Sequence, residues 1–449
     1  MTDRQGVNKL FNLDVKPGSP LIIIFSESES PRLLYTCRFI FNHVFNISFE
    51  IISDKAKFKS SSLPKINYSK QSIDKCITIH PGGLLDEKNV NNIFPSLTSI
   101  NDQFILFPTC GALGFDIFSA VFYMISRYEE WLPFNKDQHQ RFELNESILY
   151  KNQLHLKPVV DIWIEQLKTT LSEFYSQINF PQREFKIIST IDVDNLYAYN
   201  DKGSLRTLGA IGKDIVKGNL KNLKRRIAVL SGQKKDPFDI YESFSAFCDK
   251  NGIPLIYFFL FKTGTKYDRT VNPVSSAFNR VFGVIKANKA WFGLHPSYGS
   301  SDDQALMQSQ INSFSKKSGR KTVFSRQHYL RFNIKTTPQL LIDNGIIADF
   351  TMGFASGPGF RAGTTHPFYY YDFSSEKETE LLMVPFCAMD GAYSVYKKTS
   401  ADEAFQSLNA LKKEVKKLNG NFITVFHERT FDEELYPQYG SMYKRLLST

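Results

Sequence analysis

Eight side chains able to move protons or bind a metal stand at the ends of apolar runs in the second half of this 449-residue chain. The stretch KIISTIDVDN (186–195) drives an apolar run into Asp192 and Asp194, two carboxylates that repel each other. Either they end a strand in water or a positive group holds them. Further on, GLHPSY places His295, SRQHY places Arg326, His328 and Tyr329, ADFT places Asp349, and TVFHER places His427. Any one of these has an ordinary reading: a strand-end Asp caps a helix, a His beside Pro packs in a loop, an Arg pairs at the surface. The mixture, repeated at one end of successive strands, does not. In parallel α/β folds every strand C-terminus opens on the same face. Carboxylates, imidazoles and a guanidinium converging there supply what metal-assisted hydrolysis needs: ligands, a base for water and an acid for the leaving group.

The elements that must position these groups are legible as an alternation. Seven apolar runs read as strands: 185–191, 254–261, 291–294, 322–325, 346–350, 381–387 and 422–426. Helical segments follow most of them, and two end in Gly, as helices often do. Such β–α repetition predicts a closed parallel barrel or a doubly wound sheet across 181–449. Residues 1–180 read as a separate mixed α/β domain, with strands at LIIIFS, ISFEII, CITIH and FILFP and helices at DIFSAVFYMISRYEEWL and PVVDIWIEQLKTTLSEFY. Glu129 and Glu130, adjacent in one of those helices, are expected on a solvated face. Five cysteines without C-x-x-C spacing suggest reduced, buried thiols. The N-terminal residues hold no apolar core of a secretory signal and the apolar runs are strand-sized. A cytoplasmic location, at most peripheral at the inner face of the membrane, is therefore expected.

The C-terminal half resembles the polysaccharide deacetylases, or carbohydrate esterase family 4, whose fold is a distorted seven-stranded (β/α) barrel. TIDVD (190–194) resembles their first motif, HPSYG (295–299) half of their H-[ST]-x-x-H motif, and RQHY (326–329) their R-x-P-Y motif. ITVFH (423–427) resembles the last motif, and Asp349 weakly matches an Asp-containing one. The resemblance implies a metal-dependent deacetylase acting on an acetylated glycan. In that reading Asp192 is the general base, and Asp194 and His295 bind a divalent metal, zinc in the first instance. Arg326 orients Asp192, braced by Asp349; the backbone N–H of Tyr329 helps hold the oxyanion; His427 protonates the leaving group. The pattern departs at Gly299, where the family places its second metal histidine. Three protein ligands are usual at a catalytic zinc. His328 is the expected substitute, with Ser297 and His366 as alternatives. Without one, the metal is weakly held or absent and the barrel is a glycan or lipid-linked-sugar binding module.

The net charge of +10 is concentrated. Residues 1–180 hold 18 Lys/Arg against 19 Asp/Glu, whereas 202–235 hold ten basic residues and one acidic one. Within this segment Leu205, Leu208, Ile211, Ile215, Leu220, Leu223, Ile227 and Leu230 recur mostly at three and four, an amphipathic helix pattern with a basic opposite face. It is either a solvated cap on the barrel or a contact for an anionic membrane surface or a phosphate-linked sugar. The lack of interleaved aromatic and basic residues disfavours nucleic acid.

Overall fold

The computed structural model describes residues 4–13, 20–100, 103–262 and 264–448. Strand β1 (Ile22–Ser26) is buried at every position, as a parallel strand covered on both faces must be. It is flanked by β2 (Phe49–Ile52), β3 (Lys65–Tyr68) and β4 (Ile77–Thr78) in the order β2-β1-β3-β4, all parallel. A hairpin of β5 (Thr98–Ile100) and β6 (Gln103–Ile105) follows. Then comes helix Ile117–Ile125, buried at every residue and capped by the Asp116 carboxylate on Ser119 N–H.

The second half is a nine-stranded sheet. Its strands are β7 (Lys186–Val193), β8 (Leu255–Leu260), β9 (Trp291–His295), β10 (Phe324–Ser325), β11 (Ala348–Asp349), β12 (Phe368–Asp372), β13 (Lys377–Met383), β14 (Ala388–Met389) and β15 (Asn421–His427). Their order is β12-β13-β11-β10-β9-β8-β7-β15-β14, with only β12–β13 antiparallel. The run expected as one strand at 381–387 is split. Its first part ends β13 beside β11, and its continuation starts β14 beside β15, near the other end of the sheet. Only Val384–Cys387 joins them, a span of at most about 18 Å. The sheet must therefore curl until its ends nearly meet, which makes a distorted barrel. The joining residues bind both sides, through Val384 N–H to Asp349 O and Cys387 N–H to Ile423 O.

Alternation along the strands sends one set of side chains inward. Ile188, Ile256, Phe258, Phe324, Phe350, Val425 and their neighbours fill the interior as a cluster distinct from the outer core. Register then sets the height of the site: Asp192 pairs level with His427 and with Phe258, and Leu260 with His295. Gly293 permits the close approach of β9 and β10, because a Cβ there would lie 2.7 Å from Phe324 O.

The two halves share one continuous apolar core, and buried polar contacts join them. Glu129 and Glu130 are buried, contrary to the solvated face expected of them. Arg127, at φ 55°, breaks the helix just before them and turns both carboxylates inward. Glu130 accepts from Arg127 Nε at 2.8 Å and from Arg361 Nη2 at 2.6 Å, the latter in the barrel half. Asp161 similarly accepts from Thr364 and Thr365. Cys37, Cys248 and Cys387 are buried, but Cys76 is half-buried and Cys110 exposed, so thiol burial is not general. No helix among the described residues is long and apolar enough to cross a membrane.

Burial raises the Glu130 carboxyl, but Arg361 and Arg127 outweigh it, and its pKa falls below the ordinary carboxylate range. A carboxyl held low in the folded state contributes stability that is full above its unfolded pKa and is lost as pH falls through the folded one. Glu130→Ala leaves the buried Arg361 without its carboxylate and Arg127 with Glu129 alone, and is expected to cost about 3–5 kcal/mol in chemical denaturation at neutral pH. The deficit relative to wild type should shrink in acid.

Candidate functional site

Asp194 sits just past the end of β7, and its two oxygens have different surroundings. Oδ1 is buried without a hydrogen-bond donor. It lies 3.5 Å from His295 Nε2 and 3.5 Å from His328 Nε2. The tautomers follow from what the other ring nitrogens touch. His295 Nδ1 is hydrogen-bonded to Arg326 O, which can only accept, so Nδ1 carries the proton. His328 Nδ1 lies 3.0 Å from Asp268 Oδ1 and is likewise the donor. Burial pushes His328 down, against the pull of Asp268 and Asp194, which favours its neutral ring. In the neutral form of either ring, the Nε2 lone pair faces a carboxylate oxygen. Three electron-rich atoms within 4.8 Å of one another make a candidate cation site. Carboxylate and carbonyl partners on the far nitrogens are the usual way of orienting metal-binding histidines. The residues present thus fit a divalent metal.

The three positions come from separate elements. His295 ends β9, and His328 lies in the turn after β10, where its N–H reaches back to Pro296 O at 3.2 Å. Gly299 is exposed in a neighbouring loop. The alternatives to His328 lie elsewhere. Ser297 is bonded to Gln310, and His366 Nδ1 lies 2.8 Å from Arg183 in a separate cavity beside Asp161.

Asp192 is buried beside this group. Oδ1 accepts from Arg326 Nη1 at 2.7 Å, while Oδ2 is 3.8 Å from His295 Nε2. Arg326 is fixed by Phe350 O at 2.9 Å and lies over the Phe258 ring at 4.5 Å. Asp349 does not brace Arg326 by a hydrogen bond, as the sequence reading expected. It accepts from Ser325 Oγ at 2.6 Å and Thr351 N–H at 2.9 Å, tying together the ends of β10 and β11. The brace on Arg326 is the neighbouring carbonyl of Phe350.

His427, at the end of β15, is gripped by Asp390 through Nδ1 at 2.6 Å and through its backbone N–H at 2.7 Å. Its Nε2 faces Asp194 Oδ2 at 3.9 Å. Burial and Arg429 push His427 down, yet Asp390 and Asp194 outweigh them and it rises to about 9. Its ring is then an imidazolium at neutral pH. Arg429 also pairs directly with Asp194 Oδ2. Tyr329 and Leu330 both adopt left-handed φ, 60° and 54°. The N–H groups of His328, Leu330 and Arg331 bind Pro296, Gln327 and His328 carbonyls, a ladder in which the Tyr329 N–H takes no part. Arg141, from the first half of the chain, holds this strained turn by donating to Tyr329 O at 2.8 Å.

These groups open into a cavity of about 320 Å³ whose walls include Arg141, Tyr329, Met389, Val395 and Tyr396. Asp268, Asp390, Arg141 and Arg429 were not anticipated from sequence. Asp390 follows an apolar run as Asp192 does, and Arg429 stands two residues past His427, so both were within reach of the same rule. Asp268 and Arg141 lie far from any strand end and carry no such signal.

Fold and site together define the second half as a distorted (β/α) barrel with a candidate metal centre at the C-terminal ends of its strands. Residues 22–176 match a family of unknown function, DUF7033. No curated protein matches the chain. Solved structures similar to it include a protein of Mycobacterium smegmatis described as a candidate polysaccharide deacetylase. It is 13% identical, with 60% of this chain and 85% of that one covered and a TM-score of 0.38. A family 4 carbohydrate esterase from Streptomyces lividans in complex with acetate is 11% identical, with 59% and 91% covered and a TM-score of 0.28. A CE4 family pseudoenzyme from Bacillus anthracis is 8% identical, with 59% and 60% covered and a TM-score of 0.29.

Cobalt(II) or zinc titration checks the ligand set. His328→Ala and Asp194→Asn should each abolish stoichiometric binding. Asp268→Asn, which frees the His328 ring to rotate, should weaken it by about 10–100-fold. Unchanged affinity in His328→Ala would remove that residue from the centre.

Proposed function

We propose that this chain is a metal-dependent hydrolase that removes acetyl groups from a glycan, at the site built on Asp192, Asp194, His295, His328 and His427. The observation that carries the reading is the unpartnered Asp194 Oδ1 facing two imidazole Nε2 atoms beside a separately held carboxylate, Asp192. Asp194, His295 and His328 would hold the cation, and a set of two imidazoles and one carboxylate suits zinc. When bound, such an ion acidifies water and polarises the acyl carbonyl.

The remaining steps belong to the chain's own groups. Arg326 fixes Asp192 Oδ1, so that Oδ2 stands on the His295 side as the base that takes a proton from water. The Tyr329 N–H donates to the carbonyl oxygen as it becomes negative. His427, charged and clamped by Asp390, returns a proton through Nε2 to the departing nitrogen or oxygen. A cavity of about 320 Å³ lies at the small end of the range for ligand pockets and suits one acetylated sugar unit at a time. The motif resemblance at 190–194, 295–299, 326–329 and 423–427 points the same way.

A second reading rests on Arg429. Its contact with Asp194 Oδ2 already neutralises part of that carboxylate, as a glycan-binding barrel without metal would require. Acetate release from acetylated oligosaccharides separates the two. Asp192→Asn should lower turnover by about 10²–10⁴-fold with metal content retained, and Asp194→Asn should lose both. Glycan binding that survives chelator, with no acetate released by wild type, would favour the second reading.

A further inference from the structure

The first two of the three helices between β7 and β8, Ser204–Val216 and Leu220–Leu230, form a pair that is built inside out. In the first helix the only buried residue is an acid, Asp214. At about 100° per residue, Leu205, Leu208, Ile215 and Val216 fall within one arc of about 100°, and Asp214 stands roughly opposite its middle. All four aliphatic side chains are exposed, Leu205 and Val216 at 87%. The second helix repeats the arrangement. Leu220, Ile227 and Leu230 are exposed, while Val229, on the opposite side, is its only buried residue.

Polar groups do the anchoring that apolar faces usually do. Asp214 accepts from Arg226 Nε at 2.9 Å and Asn222 Nδ2 at 2.8 Å. Arg225 reaches Asp432 at 2.7 Å, beyond the end of β15, and Tyr199 donates to Asn222 at 2.8 Å. Lys202 holds Asn195, next to Asp194, so the hairpin is fastened to the rim on which the site opens. A helix whose acid faces inward and whose leucines face outward has its apolar face turned to something outside the chain.

Charge identifies that partner. Lys213 and Lys224 are exposed beside the aliphatic arcs, Lys217 is exposed at the end of the first helix, and none of the three makes an ion pair with the described residues. The segment 202–235 carries ten basic residues and one acidic one. A second copy meeting this face would bring the same cations against it. An anionic lipid surface offers both complements, acyl chains for the leucines and phosphates for the lysines. We propose that the hairpin 204–230 docks the protein on anionic lipid bilayers through Leu205, Leu208, Ile215, Val216, Leu220 and Ile227. The cavity then opens beside the bilayer surface. This docking stands independently of the hydrolase reading, because lipid binding is measured without turnover.

The test is flotation of the full chain with phosphatidylcholine vesicles, with and without phosphatidylglycerol. Wild type should partition at least about tenfold more onto the anionic vesicles, and high salt should reduce this. A variant carrying Leu205→Ser, Leu208→Ser, Ile215→Ser and Val216→Ser should lose binding even at low salt. One carrying Lys213→Gln, Lys217→Gln and Lys224→Gln should lose the preference for phosphatidylglycerol. All these positions are exposed, and an unchanged melting curve checks that each variant is folded. Wild type that stays off anionic vesicles, or variants that bind as wild type does, would overturn the proposal. So would a wild-type dimer in light scattering that the serine variant converts to monomer, because the face would then be an interface between copies.

Discussion

Three lone pairs aimed at one point are the constraint around which the second half of this chain is arranged. Asp194 Oδ1, His295 Nε2 and His328 Nε2 lie within 4.8 Å of one another and Oδ1 has no hydrogen-bond donor, although Arg429 pairs with the other oxygen of Asp194. Arg326 O holds the proton of one neutral ring on Nδ1 and Asp268 that of the other, so in the neutral rings both Nε2 atoms face Asp194 as acceptors. Buried polar groups left without partners are rare enough that such a cluster points to a ligand.

The barrel makes this arrangement possible because parallel strands deliver their C-termini to one rim. It holds the arrangement because strand register fixes heights. Asp192 and His427 are level neighbours on adjacent strands, whereas His295 is displaced two residues further along β9. The first half of the chain is part of this machinery. Arg141 supports the left-handed turn at Tyr329, His139 Nδ1 lies 3.1 Å from the Tyr298 hydroxyl, and Glu130 and Asp161 secure the loop before β12. A region that reads as an independent domain by composition contributes a wall of the cavity.

What the sequence reveals follows from the range of the physics involved. Strands and their terminal side chains are local patterns, so Asp192, Asp194, His295, Arg326 and His427 stand out without a structure. The buried pair Glu129 and Glu130 looked solvated because the cations that neutralise it come from a broken helix turn at Arg127 and from Arg361 in the other half. Asp349 was expected to brace Arg326 only because the family resemblance implied it, but its hydrogen bonds go to Ser325 and Thr351. The basic segment was read as amphipathic, yet which of its faces turns inward is decided by Asp214, Tyr199 and Asp432, two of them outside the segment.

The central claim is that the cation belongs to Asp194, His295 and His328 and not to Arg429's guanidinium. Crystals of the zinc-loaded protein, with diffraction collected on both sides of the zinc absorption edge, test it most directly. The account predicts one anomalous peak, about 2.0–2.2 Å from an Asp194 oxygen and from both Nε2 atoms. Zinc bound without His328, or no peak at this site while Arg429 keeps its contact with Asp194, would contradict it.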